Sequence, residues 1–82
     1  MATQNETSFR LSDVEVGRRA IIDFIHTDMD PIIKRRLLAL GFVAGSQLEV
    51  IRRAPFGDPT EYQVRGSRIS LRKSESQFIF LR

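Results

Sequence analysis

The stretch "RRLLALGFVAGSQLEVIRRAPFGDP", Arg35–Pro59, contains a helix end, a turn, a strand and a loop in one run. Its leucines recur at helical spacing, and Gly41 and Gly45 follow them four residues apart, which predicts a helix that stops and a chain that turns back. "QLEVIRRA" then predicts a strand. The final "PFGDP" predicts a rigid loop, because each proline fixes its own φ and disfavours helix in the residue before it.

The same helix has clear signals at both ends. Asp30 is a favourable N-cap, Pro31 suits the first helical position, and Gly41 suits a left-handed stop. The helix is therefore predicted over Pro31–Leu40.

The two sides of this helix differ in character. The inner side is predicted to carry apolar residues at helical spacing, with one arginine at its edge: Ile33, Leu37, Leu40 and Arg36. The other side carries Lys34, Arg35 and Leu38. An apolar side chain surrounded by charges is typical of an interface anchor.

Around the helix, the pattern predicts five strands of about five to eight residues, namely Arg19–Ile25 and the segments 47–54, 60–65, 68–72 and 77–82. Before the first strand, "LSDVEVG" predicts one helical turn capped by Ser12 or Asp13 and closed by Gly17. Gly66 and Ser67 are predicted to form a type II′ hairpin turn. "KSES", residues 73–76, is a short connection that could form one helical turn.

So few short strands favour a small closed barrel over a two-sheet sandwich. The alternation agrees, since Tyr62 and Val64 point one way while Glu61 and Gln63 point the other. The predicted fold is mainly β: a small five-stranded SH3-like barrel with one short α-helix after the first strand. An OB-like barrel is the alternative. The last strand is apolar on both faces, and we expect the helix to cover one of them.

Composition restricts the class of protein. The chain has 82 residues, no cysteine and a net charge of +3, which predicts one domain over residues 9–82 after a flexible lead of residues 1–8. No apolar run reaches the roughly 20 residues of a membrane span, and the amino terminus lacks a signal pattern. We therefore expect a cytoplasmic protein that reaches a membrane only through a partner.

The sequence contains few residues in a pattern that would support catalysis or metal binding. Four potential metal ligands crowd one region, but their spacing matches no metal motif: Asp23, His26, Asp28 and Asp30. A single histidine supports no catalytic triad, and no phosphate-binding glycine motif is present. We expect no enzyme activity, no cofactor and no metal site.

Nucleic-acid binding is also disfavoured. The chain has no Trp, one Tyr and six Phe that mostly fall at core positions, whereas single-strand binders stack bases on exposed aromatic rings. The arginine doublets 18–19, 35–36 and 52–53 could contact phosphate but suit solvated element ends equally. No nucleic-acid partner is expected, although a nucleic-acid-binding or metal-sensing regulatory module stays open as the alternative function.

A protein-docking surface is the favoured hypothesis. Its predicted contact residues come from the helix's outer side and the stiff loop: Lys34, Arg35, Leu38, Phe56 and Asp58. The turns that hold these parts in place are assigned to Gly41, Gly45, Gly57 and Gly66. Self-association into a weak homo-oligomer stays open.

Three motifs carry a family resemblance: "LSDVEVG", the Arg35–Pro59 run, and "VRGSRISLRKSES". The central run resembles the Arg-Leu-x-x-Leu-Gly helix end and Pro-x-Gly-Asp-Pro loop of the ferrous iron transport protein A (FeoA) family. The resemblance implies an SH3-like barrel in a small cytoplasmic bacterial protein. It further implies that the partner is the FeoB-type ferrous iron permease, contacted at its cytoplasmic GTPase domain. It does not imply an iron site in this chain.

Overall fold

The computed structural model describes residues 9–82, which form six strands, two helices and one 3₁₀ turn. The strands are β1 (Phe9–Arg10), β2 (Arg19–Ile25), β3 (Gln47–Arg53), β4 (Thr60–Val64), β5 (Ser67–Leu71) and β6 (Ile79–Leu81). The helices are α1 (Pro31–Leu40) and α2 (Lys73–Ser76), and the 3₁₀ turn covers Leu11–Asp13. The predicted lead, residues 1–8, lies outside the described residues. The mainly β architecture with a helix after the first long strand is confirmed, but β1, only two residues long, was not predicted.

The strands form one antiparallel sheet in the order β1-β6-β2-β3-β4-β5. Strand β2 serves both halves of this sheet: Arg19–Ile21 pair with β3, whereas Ile22–Ile25 pair with β6. The register shifts between Ile22 and Phe24, and such a bulge bends a strand and increases its twist. The sheet can therefore curl around a single core.

Helix α1 begins and ends at the predicted residues because its signals are local. The Asp30 carboxylate accepts a hydrogen bond from the Ile32 amide at 2.8 Å, with Pro31 in the first turn. At the other end Gly41 has a φ of 113°, and the amides of Gly41 and Phe42 donate to the carbonyls of Leu38 and Leu37. This pair of hydrogen bonds is the Schellman motif.

The core lies between the curled sheet and α1. Its fully buried members come from every long strand, the 3₁₀ turn and the helix, and the largest are Tyr62, Phe42, Leu11, Ile22, Leu37, Leu48, Leu71, Ile79 and Leu81. Ile33 packs against this cluster as predicted. The prediction for Leu40 was wrong: that residue, the last of α1, stays 40% exposed.

Two local predictions need correction. The β4–β5 pairing joins Val64 to Ser67, so the hairpin turn consists of Arg65 and Gly66 instead of Gly66 and Ser67. Both have positive φ, 51° and 83°, which is the type I′ pattern rather than type II′. In addition, Ser12 and Asp13 lie inside the first turn, which has no side-chain cap.

The last strand buries one of its two apolar faces. Ile79 and Leu81 point into the core, while Phe78 and Phe80 are half-buried. The Phe80 ring stacks on Phe24 at a centroid distance of 4.9 Å. The described neighbours of the Phe80 ring are therefore side chains of the β1-β6-β2 region. Helix α1 does not cover this face of the strand, although we expected it to.

Candidate docking surface

The most exposed apolar side chain of the described residues is Phe56, at 99%. It stands at the tip of the loop 54–59, which two backbone hydrogen bonds close: Gly57 N to Ala54 O at 2.7 Å and Ala54 N to Pro59 O at 3.0 Å. Pro55 precedes Phe56 and Gly57 follows it with a φ of 90°, an arrangement that suits a tight turn. The closed loop backbone therefore presents an aromatic ring to solvent.

The outer side of α1 forms the second part. Leu38 is 40% exposed between Lys34 and Arg35, as the helical spacing predicted. Ile32 is 76% exposed, and our sequence reasoning missed it. Its position three residues before Arg35 could have placed it on this side. We call Ile32, Lys34, Arg35, Leu38 and the loop residues Phe56 and Asp58 the docking surface.

Short helix α2 links the two parts. The Arg36 Nη2 atom donates to Glu75 Oε2 at 3.1 Å, which ties α1 to α2. The Lys73 amide donates to Asp58 Oδ1 at 2.8 Å, which ties α2 to the loop. Arg72 Nη1 lies a further 3.9 Å from Asp58 Oδ2. Asp58 is thus engaged within the molecule, and Phe56 is the loop residue left for an outside contact.

The arginines of the doublets differ in the contacts that they make within the described part of the chain. Arg19, Arg36 and Arg52 each pair with a glutamate: Glu49, Glu75 and Glu61. Arg53 donates to Thr60 Oγ1 and to the Val14 carbonyl. The three glutamate pairs neutralise charges that a phosphate backbone would need, whereas the two acceptors of Arg53 are neutral.

The four potential metal ligands do not converge. Asp23 pairs with Arg82 at 3.5 Å, Asp30 caps α1, and His26 Nδ1 accepts from the Asp28 amide at 3.0 Å. Over residues 9–82 no group of three or more His, Cys, Asp or Glu side chains is placed to hold an ion.

The phenylalanines correct another expectation, that most of them are buried. Only Phe42 is fully buried, while Phe9, Phe24 and Phe56 are exposed. The Phe80 ring lies between Phe24, at an interplanar angle of 2°, and the Arg10 guanidinium, 5.5 Å from its centroid. Because neighbours already occupy both faces of this ring, it is a poor platform for a nucleic-acid base.

None of the helices within residues 9–82 has the length and apolar character to cross a bilayer.

The chain is similar to known proteins. Residues 9–82 match the family model described as the FeoA domain. A relative, the Fe(2+) transport protein A/Fe(2+) transporter FeoB fusion protein of Porphyromonas gingivalis, is 31% identical over 67 residues, which are 82% of this chain and 8% of that protein. The chain therefore spans less than a tenth of the length of this curated relative.

Two solved structures are similar throughout. The solution structure of FeoA from Chlorobium tepidum has a TM-score of 0.83 and 36% identity, covering 89% of this chain and 68% of its own. The crystal structure of Stenotrophomonas maltophilia FeoA, complexed with zinc and described as a prokaryotic SH3 domain protein, has a TM-score of 0.81 and 29% identity, covering 90% of this chain and 89% of its own.

The bent antiparallel sheet with one capped helix therefore defines a small SH3-like domain, as the sequence predicted. The family match extends over all the described residues. The chain belongs to the FeoA family.

Proposed function

We propose that this chain is an accessory protein of ferrous iron uptake that docks on the cytoplasmic GTPase-bearing part of a FeoB permease and modulates transport. The observation that carries the proposal is the fully exposed Phe56 on a closed, stiff loop. Because the loop backbone is already closed, burying its aromatic side chain in a partner pocket costs little backbone entropy. The fused relative supports the identity of the partner, because fusion keeps two domains at a high effective concentration.

The proposed contact has two parts of different chemistry. Phe56 supplies an apolar anchor, and the outer side of α1 supplies Leu38 and Ile32 beside Lys34 and Arg35. Basic side chains around apolar anchors suit a partner face with an apolar pocket and an acidic rim. Asp58 contributes to the same surface and also holds the loop against α2 through the Lys73 amide.

The test is calorimetric titration of the cognate FeoB cytoplasmic domain with this protein, in the GTP-analogue and GDP states. Phe56→Ser and Leu38→Asp should each weaken binding at least tenfold and leave the unfolding midpoint within the range of surface substitutions. Phe9→Ser is the matched control, since Phe9 is 53% exposed on β1. It should bind like the parent protein.

The proposed modulation of the permease is tested separately, by measuring the GTP turnover of the FeoB cytoplasmic domain with and without this protein. We expect a change in turnover that Phe56→Ser abolishes. The proposal fails if no association occurs at high micromolar concentration in both nucleotide states. It also fails if Phe9→Ser weakens binding as much as Phe56→Ser does.

Simple measurements distinguish the docking function from the alternative, a nucleic-acid-binding or metal-sensing module. Nucleic-acid affinity falls steeply with salt because counterions are released, whereas binding by an apolar anchor changes less. A metal sensor would gain stability with its ion. The ion pairs of Arg19, Arg36 and Arg52 and the covered Phe80 ring favour the docking function.

A further inference from the structure

A small polar pocket of about 190 Å³ lies beside the docking loop, where α2 meets β4. Six of its lining side chains can donate hydrogen bonds, and no carboxylate is among the lining residues: Ser12, Arg53, Thr60, Tyr62, Lys73 and Ser76. Gly57 of the loop completes the wall. A pocket lined by residues with hydroxyl, guanidinium and ammonium groups, and by no carboxylate, is suited to an acceptor-rich ligand.

Tyr62 forms the floor of this pocket. The residue is fully buried, and its hydroxyl has no hydrogen-bond partner among the described residues. The hydroxyls of Ser76 and Thr60 are its polar neighbours and act as hydrogen-bonding groups that lower its pKa, although neither contact is a well-aligned hydrogen bond. Buried hydroxyls in folded proteins nearly always have a partner, and a polar ligand that reaches the Tyr62 hydroxyl would give it a well-aligned one.

Arg53 provides a fixed positive charge at the same place. Its Nε donates to Thr60 Oγ1 at 2.9 Å and its Nη2 donates to the Val14 carbonyl at 2.9 Å. Both acceptors are neutral, and no carboxylate of residues 9–82 lies within ion-pair distance of this guanidinium. Since Thr60 Oγ1 accepts from Arg53, its own hydrogen is available to another acceptor.

The nearest described acidic group is already engaged. Asp58 accepts from the Lys73 amide and lies 3.9 Å from Arg72. Within residues 9–82 neither the Lys73 ammonium nor the Arg53 guanidinium forms an ion pair, so both charges are available to an incoming anion.

We propose that this pocket is a binding site for a small oxyanion of the phosphate or sulfate type. Arg53 and Lys73 supply its counter-charge, and the hydroxyls of Ser12, Thr60, Ser76 and Tyr62 supply neutral donors, with a small side-chain adjustment exposing the Tyr62 hydroxyl. A bound anion bridges β3, β4 and α2 beside Gly57, and so braces the loop that presents Phe56. This site is separate from the docking surface, and its existence does not depend on a FeoB partner.

The test is titration of the protein with inorganic phosphate against sodium chloride of equal ionic strength, followed by amide NMR spectra and thermal unfolding. We expect saturable shifts confined to the amides of Gly57, Thr60, Lys73 and Ser76, and a saturable rise in the unfolding midpoint. Lys73→Gln should raise the apparent dissociation constant about tenfold, the loss of one charged hydrogen bond. Acetate, titrated in parallel, shows whether a planar carboxylate is accepted as well; saturable binding of either anion supports an oxyanion site.

Two variants separate binding from general salt effects. Lys34→Gln removes the same charge from α1, away from the lining residues, and should respond to phosphate like the parent protein. Tyr62→Phe should lose part of the response without loss of fold. Phosphate stabilises proteins generally by exclusion from their surface, so equal midpoint rises in all variants, with diffuse NMR shifts, would show an exclusion effect only and overturn the proposal.

Discussion

Arg36 of α1 and Glu75 of α2 form an ion pair in which Nη2 lies 3.1 Å from Oε2. The other oxygen of the same carboxylate, Oε1, accepts from the Arg72 amide at 3.0 Å. One side chain therefore both orders the first turn of α2 and fixes α1 to it. Lys73, the residue after Arg72, donates its amide to Asp58 and so holds the Phe56 loop. Glu75 therefore sets the relative position of the two parts of the docking surface.

A double-mutant cycle should measure this coupling. Arg36→Ala and Glu75→Ala are expected to interact by about 0.5–1 kcal/mol in urea unfolding, since Arg36 is largely exposed and screened. Glu75→Ala alone should cost about 1 kcal/mol more than Arg36→Ala, because it also removes the acceptor of the Arg72 amide. The Arg19–Glu49 pair, longer at 3.8 Å and more exposed, is the control and should show less coupling. Equal coupling in the two pairs would contradict this view of Glu75.

Gly41 should tolerate no side chain. Its φ is 113°, and a Cβ at that position would lie 2.7 Å from Arg65 Cδ and 3.2 Å from Val64 Cγ1. Gly41→Ala therefore combines backbone strain with a contact that a flexible arginine relieves only in part, and should cost about 1–3 kcal/mol in chemical unfolding. Gly45→Ala has a similar φ of 89° with nothing within 4 Å. It should cost less, and a larger loss there would show that the close approach of Gly41 does not matter.

The Asp30 cap should be worth about 1 kcal/mol of unfolding free energy, because its carboxylate satisfies the Ile32 amide at the start of α1. Asp30→Ala should lower stability by that amount in urea, and Asp30→Ser should restore most of it. A failure of serine to recover stability would indicate that the carboxylate charge, and not the hydrogen bond, stabilises the helix.

The helix bounds were predictable because Asp30, Pro31 and Gly41 act on their own immediate neighbours. The hairpin turn was misplaced by one residue, since Arg65 takes a positive φ of 51° that local rules reserve mainly for glycine and asparagine. The β4–β5 register imposes that conformation, and register is a property of the whole sheet.

Parts of the surface could be predicted and others could not. The Phe56 loop was identified because prolines and a glycine flank the ring. Exposure of Leu40 depends on where α1 lies over the sheet, which no local pattern contains. The polar pocket unites residues from Ser12 to Ser76, so only the closed fold brings them together.

Tyr62 offers a direct optical test of its burial. Removal from solvent is the main cause that raises the pKa of this phenol above its ordinary value of 10.0, and the nearby Asp58 charge adds a smaller rise. In the folded state the proton is therefore held more tightly than in the unfolded state. The stability that this provides is fully present below pH 10 and is lost as the pH rises toward the folded-state pKa.

As the only tyrosine of the chain, Tyr62 reports its own ionisation by tyrosinate absorbance, whose midpoint should lie above 10 in the native protein and near 10 in urea. Tyr62→Phe should remove this part of the alkaline loss of stability. Identical absorbance midpoints in the folded and unfolded protein would show that the phenol is open to solvent.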